Sequence, residues 1–159
     1  MLIMINWCIF LMISLHPSAY SDLIPYVWSL VLSAATVVLT IPPLYVARFK
    51  AKFELSDLSS LRAMFDRYPD WGKRASWAHQ NCFESFTLHA PAVLLAALAL
   101  LCGHDIPNLA VFAAVAHPIL RMIYIVAYLA NISFLRSVCW AIGLISTGII
   151  YGMALSAMI

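Results

Sequence analysis

Arginine, amide, carboxylate and phenol side chains recur at helical spacing inside stretches that are otherwise apolar. Arg74 and Asn81 are seven residues apart and so share one face of a helix, with Glu84 on the adjoining edge. Further along, Arg121, Tyr124 and Tyr128 follow one another at steps of three and four, and His117 lies one turn before Arg121 on the same stripe. An ionisable group within a membrane span costs roughly 2.5–3.5 kcal/mol to insert, so each is a functional candidate by default. The bland readings are a buried Glu84–Arg121 ion pair, an interhelical hydrogen bond from Asn81, and interfacial belt positions for Tyr124 and Tyr128. As a set, the residues exceed what packing needs. An excess of arginine points to an anionic ligand, because the planar guanidinium binds carboxylates bidentately.

The elements that must position these groups are long uncharged runs. Hydrophobic residues make up 64% of the 159 positions and charged residues only 10%, against about 25% charged in a soluble domain. Mean hydropathy is +0.93. The runs do not alternate polar and apolar, which favours helices over a barrel. Four spans are predicted, over about 23–47, 75–101, 109–130 and 137–159, each near the roughly 20 residues a bilayer core requires. The fold class is therefore all-α, a four-helix transmembrane bundle over residues 23–159. Residues 1–22 form an apolar N-terminal extension of open role, either a poor signal peptide, an interfacial segment or the product of an upstream start codon.

Seven of the nine basic residues, Arg48, Lys50, Lys52, Arg62, Arg67, Lys73 and Arg74, lie between positions 48 and 74. Arg136 lies in the 131–136 connection, and the turn at 103–108 has no lysine or arginine. The positive-inside rule predicts that 48–74 and 131–136 are cytoplasmic. On that topology the two polar stripes meet in one layer near Arg48 and Arg136. A net charge of +2 is too small to suggest a nucleic-acid partner. Cys8, Cys82, Cys102 and Cys139 have no metal or redox spacing, so no metal is expected and packing is the simpler role. His16, His89 and His104 lack polar companions in sequence and read as structural or solvated; His79 is left open.

The segment Arg74-Ala-Ser-Trp-Ala-His-Gln-Asn-Cys-Phe-Glu84 resembles the second-helix signature of the MAPEG family, membrane-associated proteins in eicosanoid and glutathione metabolism, which runs roughly R-A-x-x-N-x-x-E. Arg121-Met-Ile-Tyr124-Ile-Val-Ala-Tyr128 is similar to the family's third-helix R-x-x-Y-x-x-x-Y. Arg136-Ser137 matches the arginine that opens the fourth helix, and Arg48-Phe-Lys50 the basic end of the first. The match covers about residues 23–155 and suggests a bacterial-type member similar to microsomal glutathione transferases.

The resemblance implies a homotrimer with sites between subunits and glutathione as co-substrate. By motif position it makes Arg48, Asn81, Glu84, Arg121, Tyr124 and Tyr128 glutathione ligands and places Arg136 beside the sulfur. Trp77 stands where the family usually has arginine, so one carboxylate contact is either lost or supplied by Arg74. The family's proline after the acidic residue is displaced to Pro91. The implied activity is a glutathione-dependent transferase or peroxidase acting on lipophilic electrophiles from the bilayer. Arg136 would stabilise the thiolate, with Tyr124 or Tyr128 as alternative donors to the sulfur. The rival readings are a non-catalytic lipid- or glutathione-binding protein and, from a different class, a small transporter using Glu84 as a proton site. The last lacks the internal repeat and paired broken helices of many transporters.

Overall fold

The computed structural model describes residues 17–159, with side chains from residue 21 onward. Residues 1–16 of the N-terminal extension lie outside the described residues. Five α-helices follow in order: α1 (Pro17–Leu39), α2 (Ile41–Lys50), α3 (Asp70–Leu101), α4 (Asn108–Leu129) and α5 (Ser133–Met158). A 3-10 connector, Leu55–Arg67, joins α2 to α3, and no strand occurs among the described residues. Among the described residues, four stretches are long and apolar enough to cross a membrane: Ser21–Lys50, Asp70–Leu101, Asn108–Leu129 and Ser133–Met158.

The first span is not one straight helix. Pro42 and Pro43 lack backbone N–H groups, and their rings crowd the preceding turn, so the helix breaks at Thr40. Thr40 closes the break with its own hydroxyl, donating to the Val37 carbonyl at 2.5 Å. That commits the hydroxyl proton, so His79 Nδ1 on α3 is the donor in its 2.7 Å contact with Thr40 Oγ1. The break is thus tied across to the next helix.

The turns at the far and near ends are built alike. Gly103 has φ 85° and Asn131 φ 62°, both in the left-handed region. At each, two amides fold back on the helix: Gly103 to Leu100 and His104 to Ala99 at 3.0 Å, and Asn131 to Tyr128 and Ile132 to Ala127 at 3.2 and 2.8 Å. This double return satisfies the last carbonyls of α3 and α4. The second turn is shorter than expected. Nothing in Ser133-Phe134-Leu135 breaks a helix, so α5 starts at Ser133 and carries Arg136 in its first turn rather than in a loop.

The half of the bundle next to the Gly103 turn packs through small residues. Ala92, Ala96, Ala110, Ala113, Ala114 and Ala154 are buried with Tyr26, Val93 and Ile150, the small-residue contacts by which membrane helices approach closely. Outward faces carry Phe112, Val126 and Ile145, each more than half exposed and suited to lipid. At the opposite end, Met64 and Tyr68 of the connector region pack against Leu44, Ala47 and Ala51. Gly72 permits this closure, since a Cβ there would lie 2.7 Å from the Ala47 Cβ.

Candidate functional site

Five of the residues singled out in the sequence converge near the α4–α5 turn. Arg121, only 1% exposed, is the largest fully buried side chain. One of its terminal nitrogens donates to Asn81 Oδ1 at 2.9 Å and to Cys82 Sγ at 3.3 Å. Its guanidinium lies 4.0 Å from the centroid of the Tyr124 ring. Tyr124 meets Tyr128 edge-on, with centroids 5.3 Å apart and planes at 62°. Arg136 closes the column, its guanidinium 4.4 Å from the Tyr128 centroid. Two cations therefore cap two phenols, each on a negative ring face.

The spacing of the sequence makes this column. Arg121, Tyr124 and Tyr128 at steps of three and four lie along one stripe of α4. The tight Asn131 turn then brings the first turn of α5, and Arg136, back over the end of that stripe. Asn81, Tyr124, Tyr128, Arg136, Ser137 and Trp140 line a cavity of about 450 Å³. A second space of about 460 Å³ shares four of these residues and extends to Trp77, Gln80 and Glu84. Arg136 makes no hydrogen bond or ion pair through its guanidinium among the described residues, so its N–H donors are available to a ligand. The Nδ2 group of Asn81 is likewise uncommitted.

Two expectations are corrected. Arg121 does not pair with Glu84. The Glu84 side chain is exposed and accepts a 2.9 Å bond from Gln80 Nε2 one turn back on the same helix. Glu84 faces outward from α3 while Asn81 lies on the flank toward α4, so only the amide reaches Arg121. The single polar layer is also split. Arg48 lines a separate cavity of about 750 Å³ with Arg62, Tyr68, His79, Gln80 and Glu84, walled by Leu44, Phe65, Trp77 and Phe83. Arg48 Nε donates to Tyr68 Oη at 3.4 Å, and its guanidinium lies 5.1 Å from the Tyr45 centroid. Trp77, Gln80 and Glu84 line both the Arg48 cavity and the Asn81–Arg136 cavity. On a helical projection they form the crest of α3, with Ser76, His79 and Phe83 on one flank and Asn81 on the other. Arg74 lines neither space, and its Nε is buried without a hydrogen-bond partner.

A buried network was missed in the sequence. His89 and His117 stack at 3.6 Å with planes 5° apart. His89 bonds Ser29 Oγ at 2.8 Å and Thr147 Oγ1 at 3.2 Å; His117 bonds Ser33 Oγ and Ser85 Oγ, both at 3.0 Å. Reading His89 as lacking companions is therefore wrong. The signal was present: Ser29, Ser33, Thr36 and Thr40 form a polar stripe at steps of four, three and four on the first span. Cys82, expected only to pack, also accepts a bond from Arg121.

Four apolar helices enclosing a polar, arginine-capped site define an integral membrane protein of the small four-span bundle class. The family model described as MAPEG family matches residues 25–156, and the chain belongs to that family. Comparison with curated proteins and with solved structures returns no match. Membership places the protein in glutathione- or eicosanoid-related membrane function. Among the described residues no cluster of histidine, cysteine or carboxylate suits a metal ion.

Proposed function

We propose that the protein is a membrane-embedded glutathione-dependent transferase or peroxidase acting on lipophilic electrophiles. The observation that carries this reading is the unpaired guanidinium of Arg136, stacked on Tyr128 and lining a cavity with Asn81 and Tyr124. The residues present fit glutathione: Asn81 and the phenols offer hydrogen bonds, and guanidinium groups offer partners for carboxylates and for a thiolate. Family membership supports the choice of ligand.

A free thiol ionises near pH 8.5, so it is mostly protonated at neutral pH. Arg136 holds the thiolate, and each pKa unit of lowering corresponds to about 1.4 kcal/mol of preferential stabilisation. The thiolate sulfur attacks an electrophilic carbon reaching the cavity from the bilayer. A C–S bond forms, and the bond to the leaving group breaks with its electron pair. With a hydroperoxide, the sulfur takes the distal oxygen and the alcohol leaves. A second glutathione then displaces water from the sulfenic acid to give the disulfide.

The split ligand set supports a site shared between subunits, and family membership supplies the number, a homotrimer. Arg48 and Arg136 line different cavities in one subunit, so a ligand touching both lies across the α3 crest or between subunits. A head-to-tail ring sets one flank of α3 against the other flank of its neighbour. The same reading puts 48–74 and 131–136 on the cytoplasmic side, with Glu84 at the subunit boundary. The test is conjugation of glutathione to a general aromatic electrophile, and reduction of an organic hydroperoxide, by detergent-purified protein. Saturable glutathione binding without either turnover contradicts the enzyme reading and leaves a binding protein.

A further inference from the structure

The cavity on the Arg48 flank contains more positive charge than its own residues neutralise. Arg48 and Arg62 both line it, and Glu84 is the single carboxylate among its lining residues. Glu84 is held by Gln80, and Arg48 is held between Tyr68 and Tyr45. Arg62 has no hydrogen bond, ion pair or ring contact among the described residues. It is not on a loose loop, however. The connector carrying it is pinned at its start by the Glu54 amide, which donates to the Asp57 carboxylate at 3.0 Å. Asp57 in turn pairs with Arg67, and Met64, two residues beyond Arg62, is fully buried against the α2–α3 junction. The fold therefore fixes the backbone beneath an uncommitted guanidinium at the edge of a partly apolar space.

We infer that Arg62 is a specificity residue that receives a carboxylate of bound glutathione. This rests on the glutathione reading above and names a contact that neither the sequence motifs nor the Asn81–Arg136 cavity supplies. Trp77, Gln80 and Glu84 line both spaces, and the thiol of glutathione is on its central residue, so a thiol in the Arg136 cavity leaves a terminal carboxylate to extend past this crest toward Arg62. A guanidinium is the side chain best shaped for that terminus.

The test is calorimetric titration of the detergent-purified protein with three ligands: glutathione, its glycyl amide, and the analogue lacking the glutamyl α-carboxylate. Arg62→Gln removes the charge at an exposed position, and its melting temperature is compared with that of the parent protein. Glutathione affinity falls about tenfold, less than for a fully buried pair because the site is open to water. One of the two analogues, the one lacking the bonded carboxylate, binds the parent and Arg62→Gln proteins equally. Equal loss for all three ligands, or no loss, overturns the inference. So does unchanged glutathione affinity with less co-purifying phosphatidylglycerol, which assigns the cavity to a lipid headgroup. If Asn81→Ala weakens glutathione binding while Arg62→Gln leaves it unchanged, this inference alone fails. If the parent protein does not bind glutathione, the functional reading fails with it.

Discussion

Arg121 on α4 is hydrogen-bonded to Asn81 on α3 at 2.9 Å, and this contact, rather than an ion pair, joins the two helices beneath the site. The same guanidinium stacks on Tyr124, so it positions both an amide and a phenol that face the cavity. Arg121→Ala strands the Asn81 carbonyl and leaves Tyr124 without its cationic partner. It is expected to lower stability by about 2–3 kcal/mol and to weaken glutathione binding. Arg121→Lys keeps the charge but not the fork, and recovers only part of either. Thermal unfolding in detergent, paired with titration, checks this. A stable Arg121→Ala protein with full affinity contradicts it.

Arg136 is different, because its guanidinium has no hydrogen-bonding partner among the described residues. Arg136→Ala is expected to lower turnover while leaving glutathione affinity nearly intact. Loss of one charge-assisted contact made mainly to the thiolate corresponds to about 1.5–3 kcal/mol, roughly 10- to 150-fold in rate. A snorkelling anchor predicts changed expression or insertion and no change in rate per folded protein. Rate and affinity measured on the same well-folded preparation separate the two.

The stacked His89–His117 pair lies away from the lining of either cavity and is expected to serve stability. His89→Phe keeps a ring for the stack but removes the bonds to Ser29 and Thr147, at a cost of about 1–3 kcal/mol. Turnover per folded protein is unchanged. Retained stability with lost turnover would move this pair into the mechanism.

Asp57 gives the connector a pH dependence. The Glu54 amide, and secondarily Arg67, hold its carboxyl below the usual carboxylate range. A lowered folded-state pKa means the contribution is complete above the unfolded value of about 3.9 and disappears as pH falls through the folded value. Amide protection factors over 54–67 are expected to be flat from neutral pH to about 4 and to drop below it. Asp57→Asn lowers them at neutral pH and removes that step. An unchanged step in Asp57→Asn assigns it to another group.

Much of the fold was legible because a membrane span announces itself by length and lack of charge. The column Arg121–Tyr124–Tyr128 was equally readable, since residues at steps of three and four must share a face. The Arg121–Asn81 contact was not, because spacing along α3 leaves Asn81 and Glu84 both plausible until the rotation of that helix against α4 is known. Arg48 misled for a similar reason: its place at the end of the first span says nothing about which flank of α3 it faces. The serine and threonine stripe on the first span was visible but carried no charge to draw the eye. Arg136 was set in a loop because nothing local to it shows that Asn131 adopts the left-handed turn.

Sidedness can be read from a native thiol. Cys102 is exposed at the end of α3, whereas Cys82 and Cys139 are buried. In a Cys8→Ser background, a membrane-impermeant maleimide is expected to label Cys102 on intact cells, as the excess of arginine and lysine in 48–74 requires. Labelling only after lysis reverses the topology.

The most direct measurement is calorimetric titration of glutathione into the detergent-purified protein, run in parallel on Asn81→Ala. Asn81 touches Arg121 and lines the cavity. The expected result is saturable binding to the parent protein, weakened at least about tenfold in Asn81→Ala, the scale of one hydrogen bond to a charged group. Absence of binding to folded parent protein, or equal binding to both, contradicts a glutathione site at Asn81, Tyr124, Tyr128 and Arg136.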